Sequence, residues 1–200
     1  HESLQHGGPG MFAIRATLAA TLFASWGIYS GFEIYEHIAV APGSEEYLHS
    51  EKYELRPRDF TAALENHESL EPWITTLNRI RREHPALQQN RQLVFHHCDN
   101  DAVIAYSKFD PKTGDSILVV INLNPFGTEE TTISLNMPAL GLDWYDQMDV
   151  RDEVTQQTFH WTQRNYVKLE PWSNVAHILV LPTVPQERRV DLCYRDVAED

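Results

Sequence analysis

Cysteine is scarce in this chain, with only Cys98 and Cys193 among 200 residues. Two thiols so far apart frame neither a disulfide scaffold nor a CxxC metal site, and reduced cysteines in the cytoplasm are the default expectation. Basic residues are also few: 16 Lys and Arg stand against 29 Asp and Glu, for a formal net charge of −13. Without a basic stripe to neutralise phosphates, nucleic acid is excluded as a partner. Long apolar runs are missing too. The stretch from Met11 to Trp26 is shorter than a bilayer span and carries Arg15, so no membrane partner is expected. It also lacks the charged initiating region of a secretory leader. No internal repeat is present.

What remains is patterned. Met11 to Trp26 combines good helix formers with apolar residues Phe12, Ile14, Leu18, Ala19, Leu22 and Phe23, which predicts an amphipathic or largely buried helix that Gly27 stops. Ile28-Tyr29-Ser30 is a short β-prone run, and Gly31 lets the backbone leave it in a conformation closed to other residues. Helix, short strand, then a loop rich in Glu, Tyr, His, Lys and Arg over residues 32–60 is the order found in a (β/α) barrel, whose active site is built by such loops. A second helix is predicted over Ser69 to His84. Leu70, Trp73, Ile74, Leu77 and Ile80 share its face, Ser69 stands at the N-cap and Pro85 ends it. Beyond Asn90 the period changes to two. Strands are predicted at Leu93 to Cys98, Ala102 to Phe109, Ser116 to Leu123, Thr131 to Leu135, Trp144 to Asp146, Val150 to Val154, Phe159 to Thr162, Tyr166 to Leu169 and Ala176 to Leu181. Turn signals such as Asp110-Pro111-Lys112-Thr113-Gly114 separate them, the mark of an antiparallel sandwich. From Val184 the chain reads as a tail or a strap.

Gly27-Ile28-Tyr29-Ser30-Gly31-Phe32-Glu33 is similar to the last-strand motif of the α-amylase superfamily, Gly-x-Pro-x-x-Tyr-Tyr-Gly-x-Glu in pattern. The block Gly43 to Phe60, with Ser50-Glu51-Lys52-Tyr53 and Arg56-Pro57-Arg58-Asp59, resembles the α-1,4-glucan:maltose-1-phosphate maltosyltransferases more specifically, and the likeness runs from about Gly7 to Pro182. The fold class this implies is α/β plus all-β. Residues 1–88 would be the C-terminal end of a (β/α)8 TIM barrel (strand 8, its loop and the final helix), 89–182 an antiparallel β-sandwich domain, and 183–200 a tail. The function implied is transfer of maltosyl units from α-maltose 1-phosphate to the non-reducing end of α-1,4-glucans by a retaining mechanism. Such chemistry needs two carboxyl groups about 5 Å apart. In the superfamily these follow earlier strands, so the chain is expected to be a C-terminal piece that supplies no catalytic residue and is inactive alone. A neutral glucan asks nothing of the chain's charge. The family also implies a homodimer when full length; a cytoplasmic location and no cofactor or metal are expected besides. A related hydrolase or trehalose-metabolising enzyme, or a non-catalytic carbohydrate-binding module, are the alternatives.

Lys52 and Tyr53 match the two family positions that contact the non-reducing glucosyl unit of the bound maltosyl group. A tyrosine stacks on a sugar face and a lysine holds hydroxyls, so these two are the expected substrate-binding residues. Glu33 leaves the strand where a barrel delivers its chemistry, but organising the loop is the better reading. Glu45, Glu46 and Glu51 read as solvated loop charge. Arg56 and Arg58 have the fork geometry to clamp a phosphate, and ion pairing with Glu54 or Asp59 is the expected alternative. His96 and His97 are metal-ligand types, yet on a strand they point to opposite faces and cannot share an ion. Trp144, Tyr145, Phe159, Trp161, Tyr166 and Trp172 are expected in the sandwich core rather than on a glucan-stacking surface.

Overall fold

The computed structural model describes residues 2–50 and 55–190. Its first helix, α1, spans Glu2–Leu22 with a kink at Gly8 (φ 60°, ψ −168°) ahead of Pro9. It ends at Leu22, before the predicted Gly27 stop, and cations from distant elements take up the carbonyls at its end. Arg81 donates to the Ala20 carbonyl, to Phe23 at 2.9 Å and to Ala24 at 2.8 Å, and the Lys108 ammonium donates to Leu22 at 3.0 Å. These are the orphan groups of a helix C-terminus, where positive charge is favoured. Burial, and secondarily the neighbouring Arg81, bring the Lys108 pKa down to about 8.

The expected strand at Ile28 to Ser30 is not formed. A strand exists only with hydrogen-bonded neighbours, and no described strand pairs with this run, which goes straight into Gly31. A short helix that the sequence pattern did not announce, α2 (Phe60–Glu65), follows; Asp59 caps it by accepting from the Ala62 N–H at 2.9 Å. Helix α3 (Glu71–Glu83) lies where the periodicity placed it and buries Ile74, Leu77 and Ile80. Ser69 Oγ accepts from the Glu71 N–H at 3.2 Å, although Leu70 holds the cap position. The Trp73 indole N–H donates to Thr17 Oγ1 at 3.0 Å and ties α3 to α1.

Eight strands follow: β1 Leu93–Cys98, β2 Val103–Phe109, β3 Ser116–Asn122, β4 Glu129–Ser134, β5 Met148–Asp152, β6 Thr158–Trp161, β7 Arg164–Leu169 and β8 Ala176–Val180. All the pairings are antiparallel, in the order β6-β5-β8-β3-β2-β1-β4-β7. Strand β1 turns the corner, pairing with β2 through Leu93 to His96 and with β4 through His97 and Cys98. The sheet thereby rolls up, and its ends share one core containing Val150, Trp161, Val167 and Leu169. The predicted strand at Trp144 to Asp146 is instead a turn, closed by the Asp146 N–H on the Asp143 carbonyl and the Asp143 N–H on the Asp146 carboxylate.

Strand β3 is buried at all seven positions, which explains its unbroken Ile-Leu-Val-Val-Ile run. Ile117, Val119 and Ile121 point outward to a core shared with α1 and α3, while Leu118 and Val120 point into the rolled sheet. The helices are thus a layer on the outer face of β2, β3 and β8. The rest of a TIM barrel is not in this chain, and what is present is a mostly antiparallel barrel-like sandwich with few helices. Past β8 the backbone crosses back as a strap. Arg189 stacks 3.5 Å above the centroid of Phe109 and donates to Ser116 Oγ, and the Val190 N–H reaches the Pro138 carbonyl.

The aromatic expectation needs correcting. Trp161 is buried and Phe159 packs on the inner core, but Trp144, Tyr145, Tyr166 and Trp172 are exposed. Trp144 and Tyr145 ride the turn just described, Tyr166 falls on the outward phase of β7, and Trp172 occupies the β7–β8 connection.

Candidate functional site

The segment that leaves α1 and Gly31 is the one the sequence marks. Gly31 has φ 100°, and a Cβ there would lie 2.1 Å from Glu36 Oε2, so both the dihedral and the space demand glycine. A single tight turn, Phe32–Ile34, follows. Within it the Glu33 carboxylate folds back to accept the Gly31 N–H at 2.9 Å, and the Glu33 carbonyl accepts the Leu70 N–H at 2.7 Å. Glu33 is therefore an organiser of the loop, as expected. Tyr35 closes the turn in the left-handed region (φ 59°) with its ring edge-on to Phe12, and burial raises its pKa.

Glu36 is the hub of the site and was not singled out from sequence. Its two oxygens accept from Arg58 Nε at 2.8 Å and Nη2 at 3.0 Å, a bidentate fork, and Arg56 Nη2 lies 3.2 Å away. Arg58 also donates to Ser30 Oγ at 3.1 Å, while Arg56 donates to the carbonyls of Leu48 at 2.8 Å and His49 at 3.3 Å. Of the two expected partners, Asp59 caps α2 and Glu54 lies outside the described residues; among the described residues the pairing is with Glu36, a carboxylate far back in the sequence. One carboxylate thus ties residues 30–36 to both 48–49 and 56–58. The side chains are 4% (Arg58) and 13% (Glu36) exposed, little enough for the pairing to be felt strongly.

Between these anchors the backbone forms a small hairpin-like lobe. Val40 and Leu48 N–H groups donate to Glu46 and Ile38, and Glu45 and Glu46 are solvated, as expected. Tyr35, Glu36, Tyr47, His49 and Arg56 border a depression of about 350 Å³. Glu51, Lys52, Tyr53 and Glu54, the expected sugar-contacting pair among them, lie outside the described residues, as does Cys193.

Other sequence candidates resolve into structure. His96 and His97 do point apart. His96 is buried, its Nδ1 accepting the Asn136 N–H and its Nε2 bonded to Ser107 Oγ, and burial drives its pKa down to about 4. His97 is exposed beside Asp99. The Cys98 thiol is pushed up to about 11 by burial and by Asp99, which makes it a poor nucleophile. Glu83, His84 and Glu153 bring ligand atoms within 4.8 Å of one another, but those atoms are engaged. His84 Nδ1 pairs with Asp115 at 2.9 Å and its Nε2 with Glu153 at 3.4 Å, Glu153 with Arg151 and Arg79, and Arg79 with Glu83. That is an ion-pair junction between α3 and the sheet.

Residues 95–181 match the family model described as GLGE, C-terminal. Over 196 residues the chain is 63% identical to an α-1,4-glucan:maltose-1-phosphate maltosyltransferase of Mycolicibacterium smegmatis, a match that covers 98% of this chain and 28% of the relative. It is 56% identical over 197 residues to the Corynebacterium glutamicum protein of the same name, covering 98% and 29%. The chain therefore spans under a third of the length of the curated relatives it matches. Among solved structures it resembles a maltogenic α-amylase from Thermotoga neapolitana (TM-score 0.52, 14% identity, 87% of this chain and 36% of that one). The γ-CGTase of Alkalophilic bacillus clarkii is similar to the same degree (TM-score 0.52, 20% identity, 84% and 23%). These two likenesses concern the fold alone.

Proposed function

We propose that this chain, which belongs by sequence to the α-1,4-glucan:maltose-1-phosphate maltosyltransferases, serves an enzyme that moves maltosyl units from α-maltose 1-phosphate to the non-reducing ends of α-1,4-glucans. In this reading, residues 1–88 complete a (β/α)8 barrel that bears the catalytic carboxylates on its other strands. Residues 89–182 form the sandwich beside it, and 183–200 its tail. The enzyme works in the cytoplasm in glycogen-like glucan synthesis and as a homodimer. The observation that carries the reading is the 63% identity maintained across 98% of the chain. An apolar face that stays open among the described residues agrees with it. Phe23 and Tyr29 are exposed, and with Leu18, Trp26, Ile28 and Phe32 they line an apolar depression of about 320 Å³. Contiguous apolar surface of this kind marks a contact with further protein, and the pairless run at 23–30 is where an eighth barrel strand would find its neighbours.

The lobe held by Glu36 then faces the donor, with Lys52 and Tyr53 on the non-reducing glucosyl unit. Retention of anomeric configuration requires that the C1–O bond to phosphate break while an enzyme carboxylate bonds C1, and that the acceptor 4-hydroxyl then displace it. This chain's part is to hold the maltosyl group during both displacements. Tyr53→Ala in the full-length protein tests the assignment. Loss of one sugar contact is worth about 1–3 kcal/mol, so kcat/KM for maltose 1-phosphate should fall roughly tenfold to a hundredfold. Unchanged donor kinetics in a folded variant would remove Tyr53 from the site.

A further inference from the structure

A second groove, of about 420 Å³, lies between the N-terminal part of α1, the start of α3 and two loops of the sheet. Its walls include Tyr35, Trp73, Pro125, Pro171 and Trp172, with hydroxyls at Ser69 and Ser173. No Asp, Glu, Lys, Arg or His lines it, in a chain whose net charge is −13. Such a lining suits a neutral ligand, and the volume falls in the range of small-molecule sites.

Trp172 is the feature that calls for a ligand. Its indole is 69% exposed, yet the turn that carries it is fixed. Glu170 and Asn174 form a β-bridge, the Asn174 N–H donates to the Glu170 carbonyl at 2.9 Å, and Ser173 Oγ donates to the Glu170 carboxylate at 2.9 Å. Pro171 restricts the backbone further. Trp73 on the opposite side is anchored through its N–H to Thr17. Rigid aromatic faces with a few hydroxyls around them match the C–H faces and hydroxyls of a sugar. The groove also neighbours the lobe described above, because Tyr35 borders both it and the depression with Glu36, Tyr47, His49 and Arg56.

We infer that this groove binds glucosyl units of the acceptor α-1,4-glucan on the reducing-end side of the transfer point, with Trp172 as the stacking platform. The inference rests on the maltosyl-transfer reading: an acceptor polymer whose non-reducing end reaches the donor loop must lay its following units on adjacent surface.

The test uses the full-length protein with Trp172→Ala and Trp172→Phe, by affinity electrophoresis in glycogen-containing gels and by transfer onto maltotetraose and onto long glucan. For Trp172→Ala, loss of one aromatic contact should weaken glycogen binding roughly threefold to tenfold. Thermal stability should be unchanged, transfer to long glucan should fall more than transfer to maltotetraose, and Trp172→Phe should behave nearly as wild type. Unaltered glycogen affinity in Trp172→Ala, or a wild-type protein that is not retarded at all, overturns the proposal. So does a lowered melting temperature with equal losses on short and long acceptors, since Trp172 would then be packed against protein. If Trp172→Ala loses glycogen retardation while even the wild type releases no phosphate from maltose 1-phosphate, the groove stands and the transfer reading falls.

Discussion

Glu36 does more for the loop than any residue the sequence advertises, because two guanidinium groups from the far end of the segment converge on it. Arg58 is nearly buried, so removing Glu36 takes away the bidentate acceptor of a charge that water hardly reaches. Glu36→Ala should cost about 3–5 kcal/mol in urea unfolding, and Glu36→Gln, which keeps one acceptor, should cost less. Equal stability of the alanine variant and wild type would show that the hub is not needed. The cationic half of this device was readable in Arg56-Pro57-Arg58; the anionic half was not, since Glu36 lies 22 residues before Arg58 and no local spacing links them. The aromatic residues failed for a related reason. Composition marks Trp144, Trp161 and Trp172 alike, and only the phase of strand and turn separates the buried Trp161 from the other two.

Among the elements, α3 and eight strands lay close to their predicted places because period, turn residues and caps agreed in each. Where one of these signals was missing the reading slipped. Trp144 to Asp146 has the β-prone aromatics but is flanked by Asp143 and Asp146, whose mutual hydrogen bonds close a turn instead. Nor could a helix's own residues reveal that Arg81 and Lys108 would cap the end of α1. The junction between α3 and the sheet carries a pH signature. Burial opposes charge on His84, but the hydrogen bond and charge of Asp115, with Glu153, outweigh it and raise the His84 pKa above 6.5. A raised histidine stabilises fully below its unfolded pKa, and that contribution disappears as pH climbs through the folded one. The melting-temperature gap between wild type and His84→Gln should therefore be widest near pH 6 and narrow steadily above pH 6.5. A gap that is constant or widens with pH contradicts this. His96 acts in the opposite sense: its pKa of about 4 means stability is lost as pH falls from 6.5 toward 4.

At the scale of the molecule, the rolled antiparallel sheet was foreseeable from its strands, whereas the helical layer was not. The sequence implied a barrel end, and the chain contains α1 and α3 laid on the outer face of β2, β3 and β8, with an apolar depression open beside them. That open face agrees with the proposed function, in which this layer packs against further protein and the loops beside it shape donor and acceptor surfaces. The most direct test follows phosphate and glucan together. The full-length protein, given α-maltose 1-phosphate and an α-1,4-glucan, should release inorganic phosphate mole for mole with growth of the glucan by two glucosyl units at a time. Phosphate release without lengthening, lengthening by single glucosyl units, or no release at all would contradict the account.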